Sequence, residues 1–400
     1  MNRHALTLAA LSALALTCAG RLAAQPAPRV GERVTLTSTV LGEERILFVR
    51  TPNGYAAGGQ RYPVLYLTDG DTQFLHTVAT VEFLARVGRM PEMIVVGITN
   101  TDRTRDLTPT RARIDGRDFP TAGGANNFLR FLETEVVPYV ERSYRTEPFR
   151  VFAGHSFGGL FAVHAFLTKP DLFDAVIAVS PTLFWDEDLP VRRAEEFFAG
   201  QVPLRRTLVV TVGSEGPQMQ TAFDAFRRVL SQVRADGFTW EAVQLDDEDH
   251  GSVVLRSHYL GLRRIFDGWQ LPRDTATGNY TGTLADVRAH YAKLSDRLGY
   301  TVKLTEGTIN QLGYVAMGQG RTTQALEFFE LNVREYPGSA NVYDSLGEGL
   351  EAAGRLEDAL AHYQKAVAMG EKNADPLLAA FKQHVDAARA KLARRPPSQE

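Results

Sequence analysis

The residues best placed to do chemistry are Gly154-His155-Ser156-Phe157-Gly158, inside the stretch Val151–Leu160. The apolar run Val151-Phe152-Ala153 leads into them. Leu160, Phe161, Val163, His164 and Leu167 follow at helical spacing, and Pro170 closes the run. This reads as a strand, a sharp turn and a helix. A serine on such a turn is held at the end of the strand with its hydroxyl pointing out. The flanking glycines are needed because a Cβ would clash where the chain reverses so tightly. The first amides of the following helix can receive an oxyanion. The plainer reading is a βα turn whose serine only caps the helix. The partners offered by the rest of the chain favour the chemical reading.

A serine hydroxyl is a poor nucleophile at its own pKa, so it needs a base within hydrogen-bond reach and a group that orients the base. Of nine histidines, His250 and His258 lie beyond the last expected strand and before the helical tail that carries His290, His362 and His384. His250 stands in the loop Asp249-His250-Gly251-Ser252 and is the expected base. His258 shares a helical face with Val254, Leu262 and Ile265 and is expected to pack there. His155 is expected to be structural, because the neighbour of a turn serine points elsewhere. The first choice of acid is Glu215, in Gly213-Ser214-Glu215-Gly216 after an apolar strand; Asp247 and then Asp186 are the alternatives. The chain order serine, acid, histidine is one that such triads use. The oxyanion needs two backbone amides, expected from Phe157 and from Gly70 or Asp71 in the loop after Pro63–Leu67.

Two stretches should border this site. Ser180–Trp185 offers Phe184 and Trp185, which either meet a substrate or cover the core edge. Thr101–Arg117 carries Arg103, Arg105, Arg111, Arg113 and Arg117. These arginines either meet an anionic substrate, with Arg105 as the leading candidate, or pair with Asp102, Asp106, Asp115 and Asp118. No metal-ligand cluster, phosphate loop or dinucleotide fingerprint appears in the sequence, so neither metal nor cofactor is expected.

The elements that must position these residues alternate. Arg33–Val49 reads as an antiparallel strand pair turning at Leu41-Gly42-Glu43. Pro63–Leu67, Met93–Ile98, Phe149–Ala153, Ala175–Val179 and Leu208–Val212 are continuous apolar strands, and Phe238–Leu245 is a more mixed one. Phe74–Val87 and Phe128–Tyr144 are helical in pattern, the second with a kink expected at Pro138. Continuous apolar strands are buried on both faces, which implies a mostly parallel sheet covered by helices. Such sheets bind ligands beyond the carboxyl ends of their strands, where the candidate residues fall.

The chain has 400 residues, 44% hydrophobic and 23% charged, with room for more than one core. A net charge of −3 carries no nucleic-acid signature. Residues 1–24 are expected to be a secretory signal: Arg3, the apolar run Ala5–Ala19, and small residues before Gln25. About 15 apolar residues fall short of the roughly 20 that span a bilayer. The single cysteine, Cys18, would leave with the signal, and so would Arg3 and Arg21, taking the charge from −3 to about −5 with no acid lost. A periplasmic or secreted location is expected.

From Leu312 onward the chain repeats with a period of about 34. Leu312-Gly313 answers Leu346-Gly347, Gly320-Arg321 answers Gly354-Arg355, Ala325-Leu326 answers Ala359-Leu360, and Phe329 answers Tyr363. That pattern marks tetratricopeptide helix pairs, with Leu284–Leu298 and Pro376–Leu392 as expected caps. The module would be either a stabilising appendage or a groove for a protein partner. The expected division is a signal at 1–24, a catalytic domain at 25–272, a linker and capping helix at 273–300, and helical repeats at 301–395.

Residues from about Val34 to Trp269 resemble the esterase D/enterobactin-esterase branch of the α/β-hydrolases. The resemblance rests on PVLYLTDGD at 63–71, TRDLTP at 104–109, GGANNFLRFLETEVVPYVERSYRT at 123–146, GHSFGGL at 154–160, SPTLFWD at 180–186 and DHGS at 249–252. It implies an α/β-hydrolase fold and hydrolysis of a small-molecule carboxylic ester through Ser156 and His250, with siderophores among the substrates of the branch. Some siderophore esterases of the branch work with a weak or absent acid, so Glu215 is the least fixed of the three. Acyl transfer by the same fold, or a binding role through the repeats, are the alternatives.

Overall fold

The structure is a computed structural model and describes residues 30–114, 116–200 and 203–394. The expected signal and the Pro/Ala linker after it lie outside the described residues.

The chain opens with the hairpin β1 (Glu32–Ser38) and β2 (Glu43–Arg50). It continues through β3 (Tyr62–Leu67), α1 (Gly70–Arg86), β4 (Ile94–Ile98), α2 (Arg103–Leu107) and a small hairpin, β5 (Arg113–Ile114) with β6 (Arg117–Asp118). There follow α3 (Ala125–Phe131), α4 (Val137–Ser143), β7 (Thr146–His155), α5 (Phe157–Thr168), β8 (Ala175–Val179), α6 (Trp185–Ala199), β9 (Thr207–Gly213), α7 (Pro217–Gln232), β10 (Thr239–Leu245) and α8 (Val253–Ile265). Eight strands form one sheet in the order β1-β2-β4-β3-β7-β8-β9-β10. β1, β2 and β4 pair antiparallel; every pairing from β4 to β10 is parallel.

Alternation along the strands explains their unbroken apolar runs. Val64 and Tyr66 of β3 and Phe152 of β7 enter one core. Leu65 and Leu67, with Val151 and Ala153, enter the other, on the opposite face. With both faces buried, every position has to be apolar. The carboxyl ends of β3, β7, β8, β9 and β10 lead into the loops that carry the candidate residues.

The helix expected over Phe128–Tyr144 is present as a continuous helical run from Ala125 to Ser143, but an irregular one. α3 and α4 are joined by a π-helical turn, Leu132–Val136, and Pro138 lies in the first turn of α4. Proline has no N–H to donate back along a helix. The widened turn falls just before the proline.

Beyond the sheet come α9 (Leu284–Leu298), α10 (Glu306–Gly318), α11 (Thr322–Glu335), α12 (Ala340–Ala352), α13 (Leu356–Asn373) and α14 (Leu378–Ala393). α9 starts with a capping box, Thr283 with Asp286. It serves two cores: Leu294 and Leu298 pack with Phe149 and Phe266 of the sheet domain, while Val287 packs with Ile309 of the helical region. α10 lies against α11 and α12 against α13. A Cβ on Gly313 would fall 2.5 Å from the Phe329 ring, and one on Gly347 would fall 2.5 Å from the Tyr363 ring. The same glycine–aromatic contact thus closes both helix pairs. No helix among the described residues is long and apolar enough to cross a membrane.

Candidate active site

Ser156 sits between β7 and α5 with φ 61° and ψ −115°. Such a conformation costs a non-glycine residue about 1–3 kcal/mol, so the surroundings must enforce it. The Ser156 amide donates to Val179 O at 2.9 Å, and its carbonyl accepts from Leu160 N at 2.9 Å. A Cβ on Gly154 would lie 2.1 Å from Gly158 O, and one on Gly158 would lie 2.4 Å from Thr68 Oγ1. Only glycine fits at either place. The second contact also shows how tightly the turn abuts the loop after β3.

The fold brings three side chains into one line. Ser156 Oγ is 3.0 Å from His250 Nε2, and His250 Nδ1 is 2.6 Å from Glu215 Oε2. Their loops follow β7, β10 and β9. His250 is 43% exposed and Glu215 only 6%. Oε1 of Glu215 accepts from Ser180 Oγ at 2.5 Å and from the Gly213 amide at 3.1 Å. Burial alone would push this carboxyl up. Hydrogen bonds from His250 and Ser180, the charge His250 can carry and the Gly213 amide outweigh it, holding Glu215 below the usual carboxylate range. The group therefore stays ionised and can fix the imidazole with its proton on Nδ1.

The other two acids stand elsewhere. Asp247 is exposed and pairs with Arg256 at 2.6 Å. Asp186 accepts from Thr110 Oγ1 at 2.7 Å.

Gly70 and Asp71 form the first turn of α1, and Phe157 begins α5, so none of the three amides has an intrahelical acceptor. The loop before α1 is clamped. Asp69, at φ 54°, takes Arg103 in two bonds of 2.6 and 3.0 Å and Asn100 Nδ2 at 2.7 Å. The Arg103 guanidinium also donates to His155 O at 3.0 Å and lies 5.5 Å from the centre of the Phe157 ring. In the sequence Arg103 is one of five loop arginines, and nothing in its spacing singles it out.

At the rim, Arg105 and Trp185 are engaged within the protein, whereas Phe184 is only partly covered. Arg105 does not stand free for an anion: it binds Glu43 at 2.6 Å and Asp106 at 2.8 Å, because Asp106 is buried and needs cationic partners. Trp185 is fully buried and donates from Nε1 to Thr110 Oγ1 at 3.1 Å. It packs under Phe157 and Phe119, at 5.3 Å from each ring, so it covers the core edge. Phe184 is partly buried against the sheet core. What overhangs Phe157 is Phe119, just after β6, at 5.8 Å.

His258, expected to pack, is buried and hydrogen-bonded to Thr77 Oγ1 at 3.0 Å. His155 is not turned away from the site: its Nε2 is 2.7 Å from the main-chain carbonyl of His250. Among the described residues one group of metal-ligand type occurs, Asp344, Glu348 and His384, in the helical region. There His384 Nδ1 lies 3.0 Å from both Asp344 oxygens, and its Nε2 lies 3.7 Å from Glu348. The sequence gives no sign of it because α12 and α14 meet only in the fold.

A family profile described as "Putative esterase" matches residues 38–236. The chain is 36% identical over 157 residues to the ferri-bacillibactin esterase BesA of Bacillus subtilis, covering 34% of this chain and 53% of that protein. It is 30% identical over 248 residues to a siderophore enterobactin esterase of Emericella nidulans, covering 50% of this chain and 80% of the relative. The chain thus spans about half the length of the first relative and four fifths of the second. Among solved structures, an IroE-like serine hydrolase from Shewanella oneidensis superposes with a TM-score of 0.68 at 29% identity, covering 76% of this chain and 99% of that one.

Proposed function

Because this chain belongs to the esterase family whose profile covers residues 38–236, a family of carboxylic-ester hydrolases, we propose that it hydrolyses its ester through an acyl-enzyme on Ser156. The observation that carries this reading is the hydrogen-bonded line from Ser156 through His250 to Glu215. His250 Nε2 takes the hydroxyl proton as Oγ attacks the ester carbonyl, and Glu215 steadies the imidazolium. The amides of Phe157 and of Gly70 or Asp71 receive the oxyanion. Collapse breaks the C–O bond of the ester, and the alcohol leaves with the proton from His250. Water then gives a proton to His250 and its oxygen to the acyl carbon. The acid is released and Oγ regains its hydrogen.

The substrate class we propose is a siderophore-type ester, because the Bacillus and Emericella relatives are siderophore esterases. Export is proposed from the sequence of residues 1–24. The helical region is proposed as tetratricopeptide-like and as a site for a protein partner. The period of about 34 supports this, as does the matching glycine–aromatic contact in both helix pairs.

A fluorophosphonate probe and p-nitrophenyl esters test the core of the reading, beside ferric enterobactin as the selective substrate. Labelling and turnover should both vanish in Ser156→Ala. Undiminished turnover by that variant would overturn the proposal.

A further inference from the structure

We propose that His155 is a positioning residue that holds the base in register with the nucleophile by gripping the main chain of His250. This rests on the reading of Ser156 and His250 as nucleophile and base. His155 Nε2 lies 2.7 Å from His250 O. A carbonyl can only accept, so this nitrogen carries the proton. The two imidazole rings stand 4.7 Å apart, centre to centre. His250 sits in a half-exposed loop, and a loop sets a side chain only as firmly as its own backbone is held.

The residue that holds it adjoins Ser156. One two-residue unit therefore fixes both partners of the proton transfer, the hydroxyl through Ser156 and the imidazole through His155. The main chain of His155 is tied in turn, because its carbonyl accepts from Arg103 at 3.0 Å while Arg103 clamps Asp69 beside the Gly70 amide. The nucleophile turn, base loop and oxyanion loop thus meet at one residue. Burial, followed by the neighbouring His250, lowers the His155 pKa to about 4. It therefore remains a neutral donor when His250 becomes imidazolium.

The test uses the full chain with His155→Met, which keeps an unbranched apolar side chain of similar reach without the donor, and His155→Gln, whose terminal N–H can stand where Nε2 stood. A misplacement near 1 Å costs about 100-fold, so the Met variant should lose about 10- to 100-fold in kcat with KM little changed. The Gln variant should recover most of that loss. Tm of each variant reports folding separately. A Met variant with unchanged kcat, or a Gln variant no better than Met, would overturn the inference. So would imidazole 15N shifts of the unaltered protein at pH 7 showing His155 protonated on Nδ1 alone. Ser156→Ala separates the two levels: if that variant still turns over ester, the reading of the site fails, whereas an inert Ser156→Ala beside a fully active Met variant removes His155 alone.

Discussion

The Ser180 hydroxyl donates to Oε1 of Glu215 at 2.5 Å while the other oxygen of that carboxylate faces His250 Nδ1 at 2.6 Å. A carboxylate with a fixed donor on one oxygen cannot swing away from the imidazole, and the bond favours its ionised form. Ser180→Ala should raise the Glu215 pKa from its lowered position and reduce kcat/KM about 10- to 100-fold, the scale of a charged hydrogen bond of about 1.5–3 kcal/mol. Steady-state kinetics across pH would check this.

Glu215→Gln keeps the shape but removes the charge that fixes the imidazole. In a triad the corresponding change costs about 10⁴ in kcat, and a loss of about 10³- to 10⁴-fold is expected here. Asp247→Asn should stay within about twofold of the unaltered enzyme, because Asp247 pairs with Arg256 on the surface. Equal losses in the two variants would remove Glu215 from its role.

Gly158→Ala should be costly through packing alone, although the new methyl replaces no polar group. The new methyl would press on Thr68 Oγ1 at 2.4 Å and Asp69 Oδ2 at 3.2 Å, and overpacking of this kind costs about 1–3 kcal/mol. Thermal melting should show the loss, and fluorophosphonate labelling should slow as the loop before Gly70 moves.

Arg105→Ala should act on stability and leave selectivity among esters untouched. Arg105 sits between Glu43 and the buried Asp106, which keeps Arg45 at 2.5 Å as a second partner. A loss of about 1–2 kcal/mol is expected, discounted because Arg105 is a third exposed. A change in the ratio of kcat/KM between anionic and neutral esters would contradict the pairing.

Acid should destabilise the fold before the carboxylates titrate. Burial holds His155 and His164 at about 4 and His258 at about 3, against about 6.5 in an unfolded chain. Between these values the unfolded state binds more protons, so stability rises with pH. The contribution is full above about 6.5 and is lost as pH falls through about 4 for His155 and His164 and through about 3 for His258. Melting curves from pH 7.5 to 4 should therefore show a falling Tm, and His258→Leu should flatten the slope.

By itself, the sequence determined what depends on residue type and local period. Unbroken apolar runs announced strands buried on both faces, and the glycines around Ser156 announced a tight turn. The spacing of about 34 announced a pair of like helical hairpins. Ser156, His250 and Glu215 were nameable because each stands just after a strand in a loop of suitable type, although Asp247 and Asp186 met the same description. Only the tertiary structure brings Glu215, rather than Asp247 or Asp186, against His250, since that depends on where the loops after β9 and β10 meet. It also decided that Trp185 lies beneath Phe157, that Arg105 is occupied by Glu43 and Asp106, that α9 serves two cores, and that Ser180 reaches the Glu215 carboxylate while His155 reaches the His250 carbonyl. Each of these contacts joins residues far apart along the chain. No local pattern encodes such a pair, because neither residue type nor period fixes which loop ends face one another once the sheet has twisted and the helices have packed.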